Sequence, residues 1–348
     1  GKTLVPGLWD SHLHVGGDDW TLIQNVATGT LNYQSPGSLI DDAQSMAKRR
    51  AAGDLLAPDG EVSIIIDRKD PLAAQGSPTV STLDEALAAV RQVKDAGMWG
   101  VKFYTSMTPE WIAPAAKLAH DLGLRVHGHI PAGMRPIEAV RAGYDAINHI
   151  NFIMMQAMPQ SVVDKSNTAA RIEGPAKYGK DVDLASPEMQ AFYAELAKRG
   201  TVVDPTLVVW EGSLTSDGSS ISPAYAPYAP VAPPLVARGW NIGGYPLFDG
   251  LTRADFKQSY GKLVELTGRL HKAGVTVVAG TDGYGLELVR ELELYRDAGL
   301  SNVEVMQSAT IVPAKVVGMD QTTGSITAGK EADLVLVDGD VEQDLGNL

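Results

Sequence analysis

The chain has 348 residues, 44% of them hydrophobic, no cysteine and a formal net charge of −13. Its length admits two ordinary domains or one α/β barrel, which takes about 250 residues. The charge argues against nucleic acid or an anionic membrane as partner. The missing cysteines exclude disulfides, thiolate metal sites and cysteine nucleophiles.

PGLWDSHLHV (6–15) reads as the first strand and carries His12 and His14 near its end. VSIIID (62–67) reads as a buried strand. TLDEALAAVRQVKDAG (82–97) reads as a helix with Thr82 as N-cap, Glu85 three residues on and Gly97 at its end. WGVKFY (99–104) is a short strand containing Lys102, and TPEWIAPAAKLAHDLG (108–123) the next helix. LRVHGHI (124–130), with His127 and His129, is a strand, RPIEAVRAG (135–143) a helix, and YDAINHI (144–150), with His149, a strand. A helix at 186–200 leads to a strand at TVVDPTLVV (201–209). A helix at 256–274 leads to VTVVAGTD (275–282), which ends on Asp282, and a helix follows at 286–299.

Strands alternating with helices of this length imply a parallel sheet. There is room for eight such units, so the expected fold is an α/β (β/α)8 TIM barrel. The rival, a doubly wound open sheet, should show a Gly-rich phosphate fingerprint after an early strand, and none is present. Residues 211–255, rich in Pro, Gly, Ser and Tyr, form a long excursion, read equally as a wall over the site or as a surface insertion. The tail GSITAGKEADLVLVDGD (324–340) reads as a turn-rich pair of β segments outside the βα rhythm. The barrel is thus expected over 1–318 and a C-terminal β segment over 319–348.

The polar residues cluster at strand ends. Residues i and i+2 of a strand share a face, so His12 and His14 can reach one ion together. The C-terminal ends of barrel strands converge on one mouth, which would bring in Lys102, His129, His149 and Asp282. A single strand histidine is more often a hydrogen-bonded core residue, and His120 and His271 are read as structural. A lysine inside an apolar strand is harder to dismiss, because an unpaired buried ammonium costs several kcal/mol.

Taken together, PGLWDSHLHVG, GVKFY, VHGHIPAGM, AVRAGYDAINHI, HKAGVTVVAGTD and GSITAGKEADLVLVDGD resemble the amidohydrolase superfamily of metal-dependent hydrolases. The branch they resemble includes imidazolonepropionase-like and prolidase-like enzymes with two metals. The resemblance implies that His12, His14 and Asp282 hold one divalent ion and that His129 and His149 hold the other, with Lys102, carboxylated by CO2, bridging them. Zn2+ is the expected metal. His127 and His129 compete for the strand-five position. The family's usual separation of about twenty residues from the next ligand favours His129, which leaves His127 lining the pocket or supporting from behind.

The resemblance further implies hydrolysis of an amide or peptide-like C–N bond, with Asp282 as general base and then general acid. Tyr104 would meet the oxyanion, with a packed barrel tyrosine as its equal rival, and Arg135 a substrate carboxylate. The expected partner is a small-molecule substrate, with no nucleic acid and no membrane, and a homo-oligomer is compatible. A two-metal lactonase or phosphotriesterase is the alternative, and a one-metal deaminase or a non-catalytic scaffold comes after it. Members of the family usually pair the tail with strands before the barrel in a small β-sandwich. Here only five residues precede PGL, so the tail is expected to be a remnant of a sandwich whose leading half is missing, in a piece of a longer protein. The compartment, cytoplasm or periplasm, stays open.

Overall fold

The computed structural model describes residues 1–15, 19–74, 78–241 and 243–348. Gly16, the last residue of the first motif, and Ile242, within the long excursion, therefore lie outside the described residues. Strands β1 (Lys2–Pro6) and β2 (Leu8–Asp10) come first, then β3 (Thr30–Ser38), β4 (Asp59–Arg68), the short β5 (Thr79–Val80), β6 (Gly100–Phe103), β7 (Arg125–Gly128), β8 (Ala146–Asn148), β9 (Val202–Asp204), β10 (Thr276–Val277) and β11 (Leu334–Asp338). Eight of them form one curled sheet in the order β2-β3-β4-β6-β7-β8-β9-β10, parallel throughout, with β5 attached to β4. Beyond the two edge strands the backbone still meets. Ser11 N–H donates to Ala279 O (2.7 Å) and Asp282 N–H to His12 O (2.8 Å). The segments after β2 and β10 are thereby joined at the level where the histidine pair and the aspartate sit.

Strand interiors such as Ile64, Ile66, Val101, Phe103, Val126 and Ile147 are buried, as expected for a sheet covered by helices. The helix Leu83–Asp95 starts where its sequence signal lies: the Thr82 side chain accepts from Glu85 N–H (3.2 Å), and Gly97 takes the left-handed φ of 77° two residues after its end. The helices Pro109–Asp121, Pro136–Arg141, Pro187–Arg199 and Leu288–Asp297 lie within their expected ranges. The helix at 256–274 starts earlier, as Arg253–Lys272, because Thr252 and Asp255 form a capping box.

Three readings are corrected. TVVDPTLVV is not one strand: β9 stops at Asp204 before Pro205, and Leu207–Thr215 is a helix. The buried Glu291 accepts from the N–H groups of Leu207 (2.9 Å) and Val208 (2.8 Å), satisfying donors at that helix start. The tail holds one strand, β11, rather than a pair of β segments. Nor is that strand unpartnered: β1 pairs with it antiparallel, Lys2 opposite Asp338 and Pro6 opposite Leu334. The residues before PGL, read as too few to contribute, supply this partner strand.

Among the described residues no helix is long and apolar enough to cross a membrane.

Candidate metal centre

The centre forms where the strands end. His12 lies two residues past β2, Lys102 inside β6, His129 and His149 directly after β7 and β8, and Asp204 at the last position of β9. Asp282 closes the ring after β10. Gly280, two residues before it, allows the approach, since a Cβ there would lie 2.8 Å from His12 Cβ and 2.9 Å from its backbone nitrogen. Asp10 fastens the two strand ends. Its buried carboxylate accepts from His12 N–H (2.9 Å), Thr281 N–H (3.0 Å) and the Thr281 hydroxyl (2.6 Å).

Three imidazoles turn their Nε2 atoms toward Asp282. His14 Nε2 lies 3.1 Å and His12 Nε2 3.5 Å from Oδ1, and His149 Nε2 lies 3.9 Å from Oδ2. Each imidazole is oriented through its other nitrogen. His12 Nδ1 meets Asp204 Oδ2 (2.9 Å), His14 Nδ1 meets Gly37 O (2.6 Å), and His149 Nδ1 meets the Thr206 hydroxyl (2.8 Å). With Nδ1–H donated to Asp204 or Gly37 O, the Nε2 lone pair faces the centre, the arrangement of a carboxylate–histidine–metal relay. Of the four non-glycine residues with positive φ among those described, His149 (66°), Thr206 (49°) and Asp282 (54°) all sit here. Backbone held in such sparsely populated conformations clusters at functional sites.

Lys102 is 1% exposed. Its Nζ lies 3.4 Å from His12 Nε2 and 5.9 Å from the centre of the Tyr104 ring. Burial lowers its pKa to about 8, against the pull of Asp282 and Asp204. Burial also lowers the pKa values of His12, His129 and His149, so these rings are neutral and fit to be ligands. Burial pushes the Asp282 carboxyl up, and a proton carried by His12, His14 or His149 beside it would pull it well below the usual carboxylate range.

The donor set fits divalent metal. His12, His149 and Asp282 offer ligand atoms within 4.8 Å of one another. His129 is buried with both ring nitrogens lacking a hydrogen-bond partner among the described residues, packed against Tyr104 (ring centres 4.0 Å apart, planes tilted by 31°) and 4.8 Å from the His149 ring. An unpaired buried imidazole is costly, and an ion at its nitrogen would remove that cost.

Two expected site residues are placed elsewhere. His127 does not share the face of His129: β7 ends at Gly128, whose φ of 149° breaks the regular pleat between them. His127 spends both nitrogens on Ser63 Oγ (2.8 Å) and Asn148 Oδ1 (3.1 Å) and packs toward Trp99. It has no free lone pair for an ion and does not line the cavity at Asp282. Arg135 is committed to the fold. Its guanidinium donates to the carbonyls of Met155 (3.2 Å), Gln156 (2.8 Å) and Met158 (3.2 Å) and to Gln160 Oε1 (3.1 Å).

Asp204 and Arg171 were missed from the sequence. The signal for Asp204 was an acid inside the apolar run TVVDPT, where a buried carboxylate needs partners; it also accepts from Asn148 Nδ2 (2.8 Å). Arg171 gives no sequence signal. Its charge reaches both Tyr104 and His129, and its guanidinium has no hydrogen-bond or ion-pair partner among the described residues. Asp204→Asn is expected to weaken divalent-metal binding about 10–100-fold, read by competition with a chelator, because the asparagine no longer fixes the His12 tautomer by charge.

The long excursion reaches the centre. A cavity of about 290 Å³ lies between it and Asp282, with Tyr225, Trp240, Tyr245, Tyr284 and Glu287 in its wall. The excursion is thus a wall of the site, not a remote insertion.

The Amidohydrolase family model matches residues 263–348. A comparison with curated protein sequences found no match. Solved structures share the fold over nearly the whole chain. A Xaa-Pro dipeptidase with methionine bound in its active site is 20% identical with a TM-score of 0.67, covering 99% of this chain and 83% of that one. A prolidase complexed with N-methylphosphonate-L-proline is 19% identical with a TM-score of 0.68, covering 99% and 82%. A bottromycin amidohydrolase is 21% identical with a TM-score of 0.70, covering 97% and 73%. The family model thus covers only the C-terminal part of the chain, and the structural neighbours, which share its fold, are prolidase- and amidohydrolase-like proteins.

Proposed function

We propose that the protein is a metal-dependent hydrolase of small substrates that cleaves an amide or peptide-like C–N bond, as a dipeptidase or prolidase does. The observation that carries this reading is the convergence of three imidazole Nε2 atoms on Asp282 beside a fully buried lysine. His12, His14 and Asp282 would hold one divalent ion, and His129 and His149 a second. Lys102 would carry a carbamate between them, made accessible by the lowered pKa of its amine. When bound, zinc or a similar ion supplies an acidic water and polarises the scissile carbonyl.

The chain's own residues do the rest. Asp282 takes a proton from the attacking water and returns it to the leaving amine. Its place beside three imidazole Nε2 atoms sets it where the water to be activated would lie. Tyr104, held against the His129 ring, offers its phenol to the developing oxyanion. Arg171 takes the role foreseen for Arg135 and meets a substrate carboxylate. Replacing Arg171 with methionine should raise KM about 10–100-fold for substrates with a free carboxylate and leave kcat nearly unchanged, the pattern of a lost ground-state contact.

The reading is tested by assaying zinc-loaded protein against dipeptides, N-acyl amino acids, lactones and phosphotriesters. Hydrolysis of a dipeptide or N-acyl amino acid supports it. Activity confined to lactones or phosphotriesters overturns it.

A further inference from the structure

The cavity beside Asp282 has an uneven chemistry. Its wall carries four aromatic side chains, Tyr225, Trp240, Tyr245 and Tyr284, and two carboxylates, Asp282 and Glu287. Among the described residues lining it there is no lysine, arginine or histidine. Tyr225 and Trp240 stack face to face, with ring centres 5.1 Å apart and planes 7° apart. Glu287 is 4% exposed and fixed in place: Tyr225 donates its hydroxyl to Oε1, and Tyr284 N–H donates to Oε2 (3.0 Å). Tyr245 is anchored in turn by its hydroxyl to Glu173 (3.1 Å).

We infer that this cavity is an ammonium subsite, which takes the free primary amine of the substrate and rejects a carboxylate. The inference rests on the hydrolase reading and narrows it. Aromatic faces attract a cation through their quadrupoles, and the attraction grows where water is excluded. The fixed Glu287 carboxylate adds to it, whereas Asp282 belongs to the metal set of the hydrolase reading. A substrate carboxylate placed here would face the buried Glu287 with no lysine, arginine or histidine among the described lining residues to offset it, an arrangement that discriminates by repulsion. Arg171, whose guanidinium has no hydrogen-bond or ion-pair partner among the described residues, does not line the cavity. The two charges of a zwitterionic dipeptide are thereby given separate places. At about 290 Å³ the cavity is at the small end of ligand pockets, suited to one residue rather than a long chain. The class this selects is the dipeptide or aminoacyl amide with a free amino terminus, and it excludes N-acylated amino acids.

The test is calorimetric binding of two matched probes, 2-phenylethylamine and 3-phenylpropionate, to the metal-loaded protein and to two variants. Glu287→Gln removes a charge but keeps an acceptor for Tyr225. Trp240→Ala removes an aromatic face at a half-exposed position. The amine should bind at least about tenfold more tightly than the acid and lose about tenfold in either variant. Equal or tighter binding of phenylpropionate, no measurable binding of the amine, or unchanged amine affinity in both variants overturns the inference. Binding is read without turnover. A protein that binds the amine as described but hydrolyses no amide would overturn the hydrolase reading and leave the subsite standing.

Discussion

Replacing Lys102 with alanine is expected to reduce turnover by on the order of a thousandfold or more and to lower the metal content of the purified protein at the same time. Lys102 is buried in β6 with no carboxylate in hydrogen-bonding reach among the described residues; its hydrogen-bonding contact is His12 Nε2 at 3.4 Å. As a plain ammonium it would be a costly burial facing three neutral imidazoles. As a carbamate it becomes an anion among metal ligands, and the same burial becomes favourable. Alanine removes the bridge and leaves the imidazoles in place. Part of the activity should return when a short carboxylic acid is supplied in solution to fill the gap. Full activity and full metal content in the variant would refute the bridging role.

Asp282→Asn should lower kcat by about 10²–10⁴-fold, the range for loss of a general acid–base. The fall should appear equally in kcat and kcat/KM, because the lost proton transfers belong to the transition state. Asparagine matches the carboxylate in shape and the backbone bond from Asp282 N–H to His12 O is unaffected. A folded variant with an unchanged melting temperature is therefore expected. Its metal affinity should also drop, since three imidazoles converge on this carboxylate. A variant that turns over normally would show that the convergence is structural.

The alternation of parallel strands and helices was legible because buried parallel strands read as short apolar runs between capped helices. VSIIID, WGVKFY and YDAINHI show it plainly. β3 was not legible. Its sequence TLNYQSPGS carries few aliphatic residues and ends in a turn-like SPGS, yet its place between β2 and β4 makes it a strand. The apolar run TVVDPTLVV misled in the opposite way. Strand and helix share such runs, and it was Pro205 and the Glu291 cap that ended the one and began the other.

The site followed the same division. Residue types at strand ends gave His12, His14, Lys102, His129, His149 and Asp282, because that chemistry is rare inside apolar strands. Arg135 is not free to meet a substrate, and His127 takes the supporting place behind the site, through Asn148 to Asp204, rather than the pocket wall. Strand alternation ceases to hold at a glycine with positive φ. A loop arginine meets backbone carbonyls as readily as a ligand, and sequence does not show which. Asp204 is engaged by His12 and Asn148, far apart in the chain, which no local pattern encodes, and Arg171 carries no sequence signal.

The most direct test of the central claim is a calorimetric titration of metal-free protein with Zn2+ in bicarbonate buffer, with dipeptide hydrolysis followed in the same samples. The account predicts two ions bound per chain, hydrolysis that rises with their binding, and its loss on chelation. Full hydrolysis in the metal-free protein, or saturation without any binding that Lys102→Ala and Asp282→Asn weaken, would contradict it.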